Sequence, residues 1–200
     1  LHQQVFSFSQ YLINHQSDDI INIHPAYSSV MITMSNGTTL SKVTDYLYQC
    51  IDKLNIDKHS HPEPVEIPVV YGGEYGPDLE RVSIHCGLTQ DEVIKRHYKG
   101  NYLVYFIGFS IGFPYFGGMD DSISTPRLDS PRKSVPSGSI GIAGNQTGVY
   151  PLSSPGGWNL IGRTPLLPFN VKNPENSVIR MGGVVHFISI SSDEFKELIP

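Results

Sequence analysis

Apolar residues recur at helical spacing from the start of the chain. Val5, Phe8 and Leu12, with Phe6 and Ile13 beside them, predict an amphipathic helix over residues 3–15. Two short apolar runs follow, residues 20–24 and 29–34, the first stopped by Pro25 and the second by the Asn36-Gly37 turn pair; both read as strands. Helical spacing then returns in Leu40, Val43, Leu47, Ile51 and Leu54, giving a second amphipathic helix from Thr39. The order α-β-β-α fits a small two-layer α+β unit. One more strand would complete it, so a segment is expected to be missing before Leu1.

The polar, Pro-punctuated run DKHSHPEP (57–64) is the natural boundary. It sets the expected domains at 1–58 and 65–200 with a linker at 59–64. Beyond it, residues 65–71 read as a strand. Pro77 and Asp78 suit the start of a helix that carries Leu79 and Val82 to a stop at Gly87. Thr89 and Glu92 form a capping box that opens another helix. Residues 102–107 read as a strong strand. Short strands parted by Gly, Pro and Ser then continue to Ile188, the pattern of a barrel or sandwich. A last helix is expected near Ser192.

Composition narrows the chemistry. A net charge of −5 over 200 residues gives no basic footprint for nucleic acid or an anionic membrane surface. The longest apolar stretch, 102–116, is broken by Gly108, Ser110, Gly112 and Pro114 and is too short to span a bilayer. Cys50 and Cys86 stand apart, outside any CxxC, as thiols do in a reducing cytoplasm. His59 and His61 form an HxH, but no further ligand stands at metal spacing, and a solvated linker is the expected reading.

The densest functional signal is GSIGIAGNQTGVYPLSSPGGWNLIGR (138–163). Small residues alternate there with Ile140, Ile142, Val149 and Tyr150, so a ligand could lie on bare backbone; corners and bulges of a barrel are the alternative. Gln146, Tyr150, Trp158 and Arg163 offer an amide, a phenol, an indole and a guanidinium. Arg127 and Arg132 sit on a loop stiffened by Pro126 and Pro131, and with Arg163 they are the candidate anion clamp. His97 ends the capped helix, where the dipole favours it; it is also a candidate for proton transfer. GFSIG (108–112) matches a nucleophile elbow, but the FPYFGG that follows cannot begin the required helix.

Taken in order, IPVVYGGEYGPDL (67–79), GLTQDEVIKRH (87–97), YLVYFIGFSIGFPYFGGMD (102–120) and the block at 125–165 are similar to the family of 5-oxoprolinase B subunits, also described as KipI-like sensor-kinase inhibitors or allophanate hydrolase subunit 1. The resemblance implies an α+β protein: a small ferredoxin-like N-terminal domain followed by a cyclophilin-like β-barrel. It also implies a subunit that joins the A and C subunits to convert 5-oxoproline to glutamate at the expense of ATP and is inactive alone. ATP with Mg2+ is the implied cofactor, on this chain or on a partner; no biotin and no metal ligand set is expected here. A KipI-like branch acts instead on a sensor histidine kinase, and fold-level analogy adds prolyl isomerisation as a third reading. Under the leading reading His97, Arg163, Gln146 and Tyr150 take catalytic roles, and Arg127, Arg132, Gly144 and Trp158 bind substrate. The chain departs from the family pattern at Ile111, Ser122, Gly183 and His186.

Overall fold

A computed structural model describes residues 2–54, 63–170, 172–173 and 176–199. His59 and His61, and with them most of the expected linker, lie outside these residues. The chain divides into two units, Leu1–His61 and Pro62–Pro200.

In the first unit α1 (His2–Asn14) buries Val5 and Leu12, and β1 (Ile20–Pro25) pairs antiparallel with β2 (Val30–Met34), Ile23 opposite Ile32. Helix α2 (Leu40–Asp52) begins where the Thr39 side chain accepts a hydrogen bond from the Lys42 N–H, and it buries Val43 and Cys50. Leu40 and Ile51, which the spacing placed on the apolar face, are exposed. The described sheet of this unit has two strands.

The second unit opens with β3 (Val65–Tyr71), α3 (Leu79–Cys86) and α4 (Gln90–Tyr98). The strands β4 (Tyr102–Ile107), β5 (Pro114–Gly117), β6 (Arg132–Val135), β7 (Ser139–Ala143), β8 (Gln146–Val149), β9 (Ser154–Gly156), β10 (Asn159–Arg163) and β11 (Val184–Ser189) follow, and α5 (Ser192–Leu198) ends it. Seven strands close a barrel in the order β10-β3-β11-β4-β5-β8-β7, with β3 and β11 parallel and the other neighbours antiparallel. β6 and β9 form a separate pair, with Arg132 opposite Gly156. Both expected helix signals operate: Gly87 takes the left-handed conformation at the end of α3, and the Thr89–Glu92 capping box opens α4. The last helix is capped by Ser191 in a second such box.

Strand alternation sorts the barrel residues into two apolar clusters. Ile67, Val69, Val104, Ile140, Ile142 and Ile161 join the main core, closed by Leu79, Val82 and Val93 from α3 and α4. Ala143 and Leu160, out of phase with them, join Phe113, Val135, Tyr150 and Trp158 in a second cluster on the other face of the wall.

This second cluster explains the glycine-rich block. A β-carbon on Gly141 would stand 3.0 Å from Trp158 Cβ, one on Gly148 2.9 Å from Phe113 Cζ, and one on Gly156 2.4 Å from the Tyr150 hydroxyl. These strands are small because aromatic side chains press against them. The bare floor read from the sequence is covered by the protein's own side chains.

Candidate functional site

A cleft of about 320 Å³ opens over the second cluster. Phe109, Phe113, Tyr115, Tyr150 and Trp158 give it aromatic walls, Pro131, Pro155, Gly156 and Gly157 line it with the β6–β9 region, and Arg127 and Leu128 complete it. The rings interlock edge to face: Phe113 meets Trp158 at 5.3 Å and 84°, and Tyr150 at 5.1 Å and 82°. Phe109 holds a left-handed φ of 66°, rare for a bulky residue, in the turn between β4 and β5. That turn carries GFSIG, and β5, not a helix, follows it.

Arg127 is the one cation among the described residues lining the cleft. Its loop is pinned on both sides. Thr125 and Gly144 exchange backbone hydrogen bonds of 3.2 and 2.7 Å, and the Leu128 N–H donates to Gly157 O at 2.8 Å. Asn159 Nδ2 donates to Pro126 O at 2.9 Å. Burial pushes the Tyr150 phenol up, while the Trp158 backbone N–H bonded to it and the charges of Arg127 and Arg132 pull the other way. The net direction is upward, so Tyr150 meets the cleft as a neutral O–H.

The expected site residues are not all brought together. Arg127, Tyr150 and Trp158 line the cleft together. Arg132 is not among the lining residues: Nη2 donates to Asp78 Oδ1 at 2.7 Å, and Nη1 is buried without a hydrogen-bond partner. Gly144, with φ of 58°, anchors the arginine loop, and Gln146 faces Ala143 across the same hairpin. Arg163 is elsewhere, its Nε donating to Ser137 O at 2.8 Å beside Gly138. The three arginines therefore do not form one clamp.

His97 is buried in the main core. Thr147 Oγ1 donates to Gly141 O at 3.0 Å, so it accepts from His97 Nε2–H, also at 3.0 Å. That leaves Nδ1 to accept the Tyr71 hydroxyl at 2.8 Å. Burial lowers the imidazole to about 3. His97 is thus a neutral link in a satisfied core network, away from the cleft lining, and the dipole explanation for its position gives way to this packing.

Sequence reasoning missed Phe113 and Tyr115, although FPY directly follows GFSIG. It also missed Asp78, read only as a helix start. Asp78 makes no side-chain cap; its carboxylate takes Arg132 and, at 2.7 Å, the Leu160 N–H. Among the described residues no group of three or more His, Cys, Asp or Glu could hold a metal ion, and no helix is long and apolar enough to cross a membrane.

The model of the carboxyltransferase domain, subdomain C and D, matches residues 1–179. The B subunit of 5-oxoprolinase from Bacillus subtilis is 53% identical over 131 residues, 66% of this chain and 55% of that protein. The corresponding 5-oxoprolinase B subunit of Haemophilus influenzae is 37% identical over 186 residues, 93% of this chain and 86% of that protein. The chain thus spans about half the length of the first of these relatives. In structure, a conserved uncharacterized protein from Pyrococcus horikoshii superposes with a TM-score of 0.65 at 42% identity, covering 96% of this chain and 88% of that one. The chain belongs to the carboxyltransferase-domain family, subdomain C and D, together with proteins named as the B subunit of 5-oxoprolinase.

Proposed function

We propose that this chain is the B subunit of an ATP-dependent 5-oxoprolinase, which converts 5-oxoproline, ATP and water to glutamate, ADP and phosphate in the cytoplasm together with the A and C subunits. In this reading the first unit is a ferredoxin-like domain and the barrel is cyclophilin-like. The observation that carries the proposal is a cleft walled by aromatic rings with one guanidinium carried on a pinned loop, in a chain whose relatives bear that name. A five-membered lactam carrying a carboxylate has one apolar flat body and one anionic end. The rings of Phe113, Tyr115 and Trp158 suit the body, and Arg127 suits the carboxylate. Tyr150, a neutral phenol on the cleft lining, donates to the lactam oxygen. Arg132, neutralised by Asp78, supports the cleft wall.

A lactam is a poor electrophile, and ATP with Mg2+, on this chain or a partner, supplies the activation of its oxygen that makes ring opening by water feasible. What this chain adds is orientation and exclusion of water. The test is coexpression with candidate A and C subunits and an assay of glutamate formed in the presence of ATP and 5-oxoproline. Arg127→Gln is expected to lower kcat/KM by about 10–100-fold, the loss of one charge-assisted contact. Arg163→Gln, away from the cleft, is expected to stay close to wild type. Turnover absent from every assembled complex, or unchanged in Arg127→Gln, overturns the reading.

A second reading, inhibition of a sensor histidine kinase by docking, is favoured by Phe109 and Ile111, which stand 70% and 64% exposed at the tip of the β4–β5 turn. Loss of stoichiometric inhibition of autophosphorylation on Phe109→Ser decides for it. No inhibition by the wild-type chain decides against it.

A further inference from the structure

We infer that Asn159, oriented by Arg81, is the positioning residue that holds Arg127 in the cleft. The inference rests on the carboxylate-binding role proposed above for Arg127. Asn159 is the first residue of β10 and is fully buried. Both hydrogens of its amide are placed: Nδ2 donates to Pro126 O and to Ile142 O, each at 2.9 Å. Its oxygen accepts from Arg81 Nη1 on α3, also at 2.9 Å.

These three bonds fix which way the amide faces. Turned over, it would set its oxygen against two carbonyls and its NH2 against a guanidinium. Arg81 therefore does more than satisfy a buried oxygen; it dictates that the two donors face Pro126 and Ile142. The Pro126 carbonyl belongs to the peptide bond that leads into Arg127, and Pro126 itself has a fixed φ. On the far side the Leu128 N–H is tied to Gly157 O at 2.8 Å. Asn159 thus grips the backbone immediately before the cation, and its own neighbour in sequence is Trp158.

A residue that merely filled the core would change stability without selecting a substrate contact. A positioning residue changes affinity for the carboxylate only while Arg127 is present. In the assembled enzyme, Arg81→Met is expected to raise KM for 5-oxoproline about tenfold with kcat and the KM for ATP unchanged. In the Arg127→Gln background it is expected to add nothing. Asn159→Ser, which keeps a single donor, is expected to act in the same direction.

Hydrogen exchange on the chain alone gives a readout that needs no substrate. The Leu128 amide is expected to exchange about tenfold faster in both variants, with the Val104 and Ile140 amides of the barrel unchanged. A KM effect of Arg81→Met that persists in full without Arg127, or Leu128 exchange unmoved in both variants, overturns the inference. Should Arg127→Gln leave KM alone, the carboxylate reading fails; faster Leu128 exchange would still establish that Asn159 pins the loop.

Discussion

Gly156 and Gly144 are both glycines of the second unit, yet they are glycine for different reasons. At Gly156 a β-carbon would collide with the Tyr150 hydroxyl at 2.4 Å and with its ring at 2.8 Å. At Gly144 nothing lies within 4 Å, but φ is +58°. Gly156→Ala is expected to cost about 1–3 kcal/mol through forced repacking and to displace the ring over the cleft. Gly144→Ala is expected to cost roughly 1–2 kcal/mol from backbone strain and to leave the cleft's rings in place. Urea unfolding followed by the emission of Trp158, the one tryptophan in the chain, separates the two. The native emission should shift for Gly156→Ala and not for Gly144→Ala, and a shift in both would refute the distinction. The same contrast shows what was legible. Tyr150 and Trp158 stood out because large rings among small residues are conspicuous in sequence. That the small residues serve those rings could not be read, because Tyr150 meets Gly156, and Trp158 meets Gly141, only after the wall has folded.

At the scale of elements, local signals were readable and distant ones were not. The capping box of α4 joins Thr89 to Glu92 within one turn, and Gly87 ends α3 by its own conformation. Asp78 occupies an equally plain cap position, but its carboxylate bonds Arg132, 54 positions on, and Leu160, 82 positions on. Nothing in the helix signal announces partners that far along the chain. The first turn of α3 is consequently a back-plate: Asp78 holds Arg132 and Arg81 holds Asn159. The two positions differ in energy as well. Thr89→Ala removes an exposed cap and is expected to cost about 1 kcal/mol. Asp78→Ala leaves a guanidinium and a buried N–H unpaired, and about 2–4 kcal/mol is expected, the lower end reflecting the 30% exposure of the Arg132 side chain. Thermal unfolding of both variants ranks them, and an equal loss would mean that the Arg132 and Leu160 bonds are worth no more than one exposed cap.

For the molecule as a whole, the buried histidine sets the sign of the response to acid. His97 is held neutral in the middle of a chain of donors running from Tyr71 to the Gly141 carbonyl. Its folded value of about 3 lies below the ordinary 6.5 that it regains on unfolding. Below pH 6.5 the unfolded chain therefore binds a proton that the folded chain refuses, and stability falls as pH falls, by about 1.4 kcal/mol per pH unit once well below that point. The loss continues to about pH 3 and then levels off. Asp19, Glu92, Asp120 and Glu194, whose carboxyls are held below their usual range by hydrogen bonds, also lose stability in acid, but only as they protonate near and below pH 4.5. His2, lowered by burial, responds to acid with the same sign but belongs to the first unit. The window from pH 6.5 to 4.5 is thus where His97 dominates the barrel. His97→Gln keeps a donor and an acceptor without the proton affinity. Urea unfolding across this window is expected to show a steep slope for the wild-type barrel and a nearly flat one for the variant, even if the variant is less stable at neutral pH. Equal slopes would mean that the histidine is already charged in the folded core, or that water reaches it.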